Sequence, residues 1–216
     1  MKDNGQPISK QTLKRLPMYL NFLRSLPQDA TDHASATSIA EGLGLNQVQV
    51  RKDLAMVSDG GKPKTGYVIN ELVADIEDFL GYGNVNSAVI LGAGHLGQAL
   101  LSYEGFKRYG LEIVTAFDTN PAVVGETVAG KTILSVEKLA DISRRLQIHI
   151  GIITVPAAHA QDAADLLVAA GVQAIWNFAP TMLKVPPEII VQNENMAASL
   201  AVLSNHLREK QRENDL

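Results

Sequence analysis

Gly92, Gly94 and Gly97 are the residues of this chain best spaced for chemistry, in the run Ala88-Val89-Ile90-Leu91-Gly92-Ala93-Gly94-His95-Leu96-Gly97. The apolar stretch predicts a strand and the residues from His95 onward a helix, so G-x-G-x-x-G stands where a strand turns into a helix. In that setting Gly92 allows the tight turn, and Gly94 lets backbone N–H groups approach a pyrophosphate with no side chain between. Gly97 lets the helix pack close to the strand. Ala93, His95 and Leu96 fill the x positions, and His95 is placed to touch phosphate. A second apolar run, Ile113–Phe117, ends in Asp118. A carboxylate there accepts the hydroxyls of an adenosine ribose and repels a 2′-phosphate, which favours NAD over NADP. Two alternatives stay open: a glycine turn that serves packing only, and a related doubly wound domain that holds coenzyme A.

Thr154-Val155-Pro156 closes the apolar run Ile148–Val155, and Asn177-Phe178-Ala179-Pro180 follows Val172–Trp176. Doubly wound sheets keep their ligand crevice at strand carboxyl ends, so these residues are candidates for a nicotinamide pocket. Prolines that only stop strands are the alternative. A dehydrogenase would also need a proton donor or acceptor beside the hydride acceptor, and here the supply is poor. Tyr103 and Lys107 spell Tyr-x-x-x-Lys, but on or just after the helix that follows the glycine turn, whereas short-chain dehydrogenases carry it far downstream. The five histidines, His33, His95, His149, His159 and His206, are scattered without a second ligand at metal spacing, so no metal is expected. The chain has no Cys, which removes thiol catalysis, thiolate zinc and iron–sulfur clusters. It is expected to bind a dinucleotide rather than turn one over and not to be an enzyme; a small NAD-dependent oxidoreductase is the competing class.

Two kinds of element must hold these residues. Over residues 1–83 the pattern is helical, with Leu13, Leu16, Leu20 and Leu23 at helical spacing behind a Ser9 cap and Pro17 expected to interrupt or bend the helix. A short helix near Ser38–Leu43 and a turn through Gly42-Leu43-Gly44-Leu45-Asn46 lead into a third helix over Gln47–Val57. There Val50, Leu54 and Val57 recur at i, i+4 and i+7 and face a core, leaving Gln47, Val48, Arg51, Lys52 and Ala55 on other faces. The turn-rich stretch 59–66, with Lys62 and Lys64, precedes a short strand at Tyr67-Val68-Ile69 and predicts a wing. Asn70 predicts the cap of an amphipathic helix over 70–80, and Gly81-Tyr82-Gly83-Asn84 breaks it. Over 84–192 apolar runs alternate with helical stretches near 95–103, 136–146 and 160–170, which predicts a parallel sheet. Residues 193–216 contain a last helix, Met196–Lys210, amphipathic through Leu200, Leu203 and Leu207. The expected fold class is α/β, an N-terminal winged helix joined to a C-terminal Rossmann domain.

Among 216 residues 46% are hydrophobic and 19% charged, enough apolar material for a core and too little charge for a disordered solvating chain. No window approaches the roughly eighteen uninterrupted apolar residues of a membrane span, and the polar start MKDNGQPISK lacks a signal-peptide core, so a cytoplasmic location is expected. Residues 1–67 carry nine Lys or Arg against six Asp or Glu, whereas 68–216 carry ten against seventeen. A basic front end on an acidic body points to an anionic partner for the front end.

Several motifs keep one order and spacing over nearly the whole chain: Lys14-Arg15-Leu16-Pro17-Met18-Tyr19-Leu20, Gln49-Val50-Arg51-Lys52-Asp53-Leu54, Gly66-Tyr67, Leu91 to Gly97 with Gln98-Ala99-Leu100, Phe117-Asp118, Ile153-Thr154-Val155-Pro156 and Asn177-Phe178-Ala179-Pro180. Together they resemble the Rex family of bacterial redox-sensing transcriptional repressors. The resemblance implies a homodimer that exchanges its C-terminal helices, binds double-stranded DNA with an inverted-repeat operator when apo or bound to NAD+, and is released by NADH. It also implies control of fermentation and NADH-reoxidising genes. On that basis Arg15, Gln47, Gln49, Arg51 and Lys52 are candidate DNA contacts. Arg51 and Lys52 would reach base edges or phosphates, Gln47 would read adenine, and Lys62 and Lys64 would reach phosphates or the adjacent minor groove. Tyr103 matches a family residue that senses nicotinamide through an acidic residue at the start of the exchanged helix. Here that position is Asn195, and Asn21 stands where the first-helix motif usually carries Arg, so the switching contact is expected to be an uncharged hydrogen bond. The stretch 55–61 lacks the aromatic residues common before the family's wing, so a different wing geometry is expected.

Overall fold

Ser9 starts the first helix by accepting the Thr12 backbone N–H at 3.1 Å, and α1 (Lys10–Ser25) then turns Leu16, Tyr19, Leu20 and Leu23 onto one buried face. The computed structural model describes residues 8–27 and 32–214, and the chain divides into two units between Asn84 and Val85. Pro17 lies inside α1 without interrupting it, so of the two expected outcomes, a break or a bend, the break does not occur. A mid-helix proline costs about 3 kcal/mol, but buried side chains on both sides of it, Leu16 before and Tyr19, Leu20 and Leu23 after, hold both halves to one core. Leu13, expected on the same face, is exposed.

In the first unit β1 (His33–Ala34), α2 (Ala36–Leu43), α3 (Gln47–Val57), β2 (Tyr67–Val68) and α4 (Ile69–Leu80) follow α1. α2 begins two residues before the expected Ser38 because Ser35 caps it. The Ser38 N–H donates to Ser35 Oγ and the Ser35 N–H to Ser38 Oγ, both at 3.0 Å. Gly44, at φ 63°, ends α2 in the left-handed conformation, and Asn46 Oδ1 opens α3 by accepting the N–H groups of Val48 and Gln49. β1 and β2 pair antiparallel, and a bridge between Lys62 and Gly66 closes the loop between α3 and β2. α4 starts directly from β2, so Asn70 lies inside the helix and does not cap it. The core joins the buried face of α1 to Ile39, Val50, Leu54, Leu72 and Ile76.

The second unit comprises β3 (Asn86–Leu91), α5 (His95–Ser102), a 3-10 segment Glu104–Tyr109, β4 (Leu111–Asp118), β5 (Thr127–Val128), β6 (Lys131–Thr132) and β7 (Leu134–Ser135). These are followed by α6 (Leu139–Arg145), β8 (Ile150–Ile153), α7 (Ala160–Ala169), β9 (Ala174–Asn177), β10 (Ile190–Asn193) and α8 (Met196–Asn214). Six strands form one sheet in the order β10-β9-β8-β3-β4-β7, every pair parallel, while β5 and β6 make a separate hairpin. Sheet strands buried on both faces read as continuous apolar runs. Val89, Leu91, Phe117 and Ile153 pack with Leu139, Ala164 and Leu167 of α6 and α7, and Ala88, Ile90, Ala116 and Ile152 pack with Leu101 of α5. The chain's direction of progress across the sheet reverses between β3 and β8, the switch point where such sheets open a ligand crevice at their carboxyl edge. In α8, Met196, Leu200, Leu203 and Leu207 are all exposed in the single chain, at 55–65%. No described helix is long and apolar enough to cross a membrane.

Candidate functional site

The glycine turn sits at this switch point, where β3 ends and α5 begins, and its three glycines are there for different reasons. Gly92 has φ 100°, and a Cβ on it would lie 2.7 Å from Val155 Cγ1; a Cβ on Gly97 would lie 2.0 Å from the Gly92 carbonyl oxygen. The protein's own packing demands both. A Cβ on Gly94 would meet nothing within 4 Å. Gly94 is exposed and opens α5 with no side-chain cap, so the first-turn N–H groups and the positive end of the helix dipole face outward. Nothing inside the fold requires glycine there, and a pyrophosphate held against those N–H groups would.

Asp118 closes the turn from β4. Its Oδ2 accepts the Ala93 N–H at 2.7 Å and its Oδ1 the Asn120 N–H at 2.8 Å, which fixes the carboxylate while leaving lone pairs for ribose hydroxyls. Thr154 ties the end of β8 to the same turn by donating to the Gly92 carbonyl at 2.7 Å. A cavity of about 350 Å³ lies in front, lined by Gly92, Gly94, Asp118, Thr154, Val155 and Pro156 of the expected set. Thr119, Val136, His159, Asp162 and Leu166 line it too. The sequence reading missed these five. For four of them the signal was positional, since Thr119 and Val136 directly follow strands and His159 and Asp162 open α7 at the carboxyl edge, whereas Leu166 lies in the later part of α7. Val136, Val155 and Leu166 suit an adenine ring, and Asp118 suits its ribose.

Ala93, His95, Leu96, Gly97, Tyr103, Asn177, Phe178, Ala179, Pro180 and Asn195 lie outside this cavity lining. Asn177 is wholly buried, and its amide is turned inward rather than toward a ligand. Its Nδ2 donates to Thr181 O at 2.9 Å, Ala179 O at 3.2 Å and Asn193 Oδ1 at 2.8 Å, and its Oδ1 accepts the Ala179 N–H at 3.0 Å. Asn177 therefore shapes the loop carrying Phe178, Ala179 and Pro180. Tyr103 ends α5, exposed, with its ring edge-on to Phe106 at 4.9 Å; Lys107 lies beyond α5 on the 3-10 segment. Asn195 Oδ1 accepts the Ala198 N–H at 2.9 Å and so caps α8, while its neighbour Glu194 accepts the indole N–H of Trp176 at 2.9 Å. Among the described residues no group of three or more His, Asp or Glu is arranged to hold a metal ion.

Three of the expected DNA contacts, Arg15 of α1 and Gln47 and Gln49 of α3, hold hydrogen-bond partners within the first unit. Asp53 is buried on the face that also carries Val50 and Leu54, and it collects donors. Arg15 grips it with two bonds, Nε to Oδ2 at 2.6 Å and Nη2 to Oδ1 at 3.0 Å. Tyr19 Oη donates at 2.7 Å, Gln49 Nε2 at 2.9 Å and Thr12 Oγ1 at 3.2 Å. Burial alone would raise the Asp53 pKa, but the bonds from Arg15, Tyr19 and Gln49 outweigh it and hold the carboxyl below its usual value. Burial, then the bond to Asp53, pushes the Tyr19 hydroxyl up to about 12. Arg15, half-buried, and Gln49, still exposed, thus both donate to Asp53, because an ionised carboxylate removed from water must be paired. Gln47 is held too, by a hydrogen bond to Thr37 Oγ1. Arg51 and Lys52 remain exposed with no ion pair among the described residues, and Lys62 and Lys64 are exposed on the loop before β2. The sequence carried one signal for this network: Asp53 lies three residues after Val50, on the core side of the helix.

Comparisons with known proteins follow the same division. Residues 83–181 match the family model described as "CoA binding domain", and residues 7–55 match "Putative DNA-binding protein N-terminus". The redox-sensing transcriptional repressor Rex of Bacteroides fragilis is 40% identical over 200 residues, covering 93% of this chain and 91% of that protein. The Rex of Carboxydothermus hydrogenoformans is 40% identical over 204 residues, covering 94% and 98%. Among solved structures, RSP in complex with β-NAD+ and operator DNA superposes with a TM-score of 0.88 at 34% identity over 97% of both chains. RSP in complex with β-NADH gives 0.86 at 33% identity over 97% of this chain and 99% of the other.

Proposed function

The chain belongs to the Rex family of redox-sensing transcriptional repressors, and on that premise we propose that it holds an inverted-repeat operator when apo or bound to NAD+ and is released by NADH. The observation that carries this reading is that RSP, alike over 97% of both chains, was crystallised with β-NAD+ and operator DNA and also with β-NADH. The residues present fit such a dinucleotide. Gly94 and the first-turn N–H groups of α5 would take the pyrophosphate, Asp118 the ribose, and Val155 and Leu166 the adenine. Phe178, Ala179 and Pro180, on the loop that Asn177 shapes, would serve the nicotinamide side with Tyr103 and Asn195. When bound, the dinucleotide supplies a redox-dependent charge, positive on the ring of NAD+ and neutral on that of NADH. A difference in affinity of the two forms for two arrangements of the repressor would then set operator occupancy.

Arg51 and Lys52 would enter the major groove from α3, and Lys62 and Lys64 would reach phosphates from the wing. The exposed stripe Met196, Leu200, Leu203 and Leu207 would be covered by a second copy through exchange of α8, giving a homodimer. We assign the protein to the cytoplasm, to control of fermentation and NADH-reoxidation genes, and to no catalysis and no metal. Anisotropy of a labelled inverted-repeat duplex, titrated with NADH and then NAD+ at fixed salt, tests the reading. Release by NADH alone is the expected result. Binding indifferent to both nucleotides, or no DNA binding with NADH turnover on a keto substrate, overturns it.

A further inference from the structure

The first turn of α3 presents three exposed side chains in a row, Gln47, Val48 and Gln49, and two of them hold partners within the first unit. Gln47 is bonded to Thr37 and Gln49 to Asp53, which leaves Val48 as the side chain of this turn without a polar partner to satisfy. Val48 packs against nothing in the core and is 58% exposed, the most exposed of the large apolar side chains described in the first unit. At about 100° per residue it stands almost opposite Val50 and a third of a turn from Leu54, one turn before Lys52 and beside Arg51, on the outward face. Asn46 fixes the start of the helix by accepting the Val48 N–H itself at 2.9 Å, so the side chain projects from a capped, anchored turn. A β-branched residue adds no helix propensity at an exposed site.

Resting on the operator-binding function proposed above, we infer that Val48 reads a thymine C5-methyl group in the major groove and is a specificity-determining residue of this repressor. The N-terminal residues of a recognition helix are the ones that meet base edges. The C5-methyl is the apolar mark that identifies thymine in that groove, and the match for it is an aliphatic side chain. Arg51 or Lys52, three and four residues on, would read the neighbouring acceptor-rich base edge, so one helix face supplies both an apolar and a charged contact.

The test uses the full chain and an inverted-repeat duplex that it enriches from a randomised library. Each thymine of a half-site is replaced in turn by deoxyuridine, which removes only the methyl group, and affinity is measured for the wild type and for Val48→Ala. For the wild type, one deoxyuridine position per half-site should lower affinity about fourfold, the effect of one buried methyl. Val48→Ala, which loses the contact in both half-sites of the dimer, should bind the unmodified duplex about fifteenfold more weakly and be indifferent to that substitution. A wild-type scan with no sensitive thymine overturns the inference by itself, as does a variant that keeps the wild-type sensitivity. Failure to enrich any duplex overturns the repressor function instead and takes this inference with it. Val48 lies outside the core, so Val48→Ala should melt like the wild type.

Discussion

Around Asp53 the first unit gathers four side-chain donors, from Arg15, Tyr19, Gln49 and Thr12, onto one buried carboxylate. Around Gly94 the second unit does the reverse. Backbone N–H groups open the helix, a Cβ on Gly94 would meet no other part of the fold within 4 Å, and the neighbouring carboxylate is braced by Ala93 and Asn120. The contrast teaches how far residue type can be trusted. Long polar side chains of a helical unit are free to turn inward, and a buried charge draws them there, so a basic or amide residue on a recognition helix is not by itself a contact with DNA. A site built from backbone cannot be diverted in that way.

Asp53→Ala should have the largest effect. Removing the shared acceptor leaves Arg15 and Tyr19 without their common partner, so the first unit should lose about 3 kcal/mol of stability, seen as an early transition in thermal melts while NADH affinity is kept. Gly94→Val should do the opposite. NADH affinity should fall about a hundredfold, close to 2.7 kcal/mol, while stability shifts by less than about 1 kcal/mol and DNA binding survives. Equal loss of both activities in either variant would break the contrast between the units.

Arg51→Ala and Arg15→Ala sharpen it within one unit. The exposed Arg51 should cost about 2 kcal/mol of operator affinity with an unchanged melting temperature, whereas Arg15→Ala should lower the melting temperature first. If Arg15→Ala weakened DNA binding without destabilising the unit, the Asp53 network would be the lesser of its roles. The mildest effect is that of pH. Because the bonds from Arg15, Tyr19 and Gln49 hold Asp53 below its usual pKa despite burial, the stability from its ionised form is fully present above the ordinary carboxylate value. It is lost as pH falls through the lower folded value. Urea midpoints of the first unit should fall gradually with acidification, and Asp53→Asn should flatten that dependence.

Much of the second unit was legible because its signals are local. An apolar run, three glycines and a terminal Asp118 describe a strand, a turn and a second strand without long-range information. The short strands β7 and β10 were not legible, since two or four residues carry no period and exist only by pairing with β4 and β9. The same holds for the cap of α2. Ser35 and Ser38 are equally good capping residues by type, and the pairing of β1 with β2 just before them places the helix start.

The amino-acid sequence alone determined the order of the helices and the long strands, the glycine turn with its acidic partner, and the outward placement of Arg51 and Lys52, because each follows from spacing along one strand or one helix. Tertiary structure decided the rest. It held α1 together through Pro17, turned Asn177 into the loop it supports, and drew Arg15 and Gln49 onto Asp53. In each case the deciding energy is a desolvated polar group or a buried apolar face whose partner lies on another element, and no local pattern records that partner.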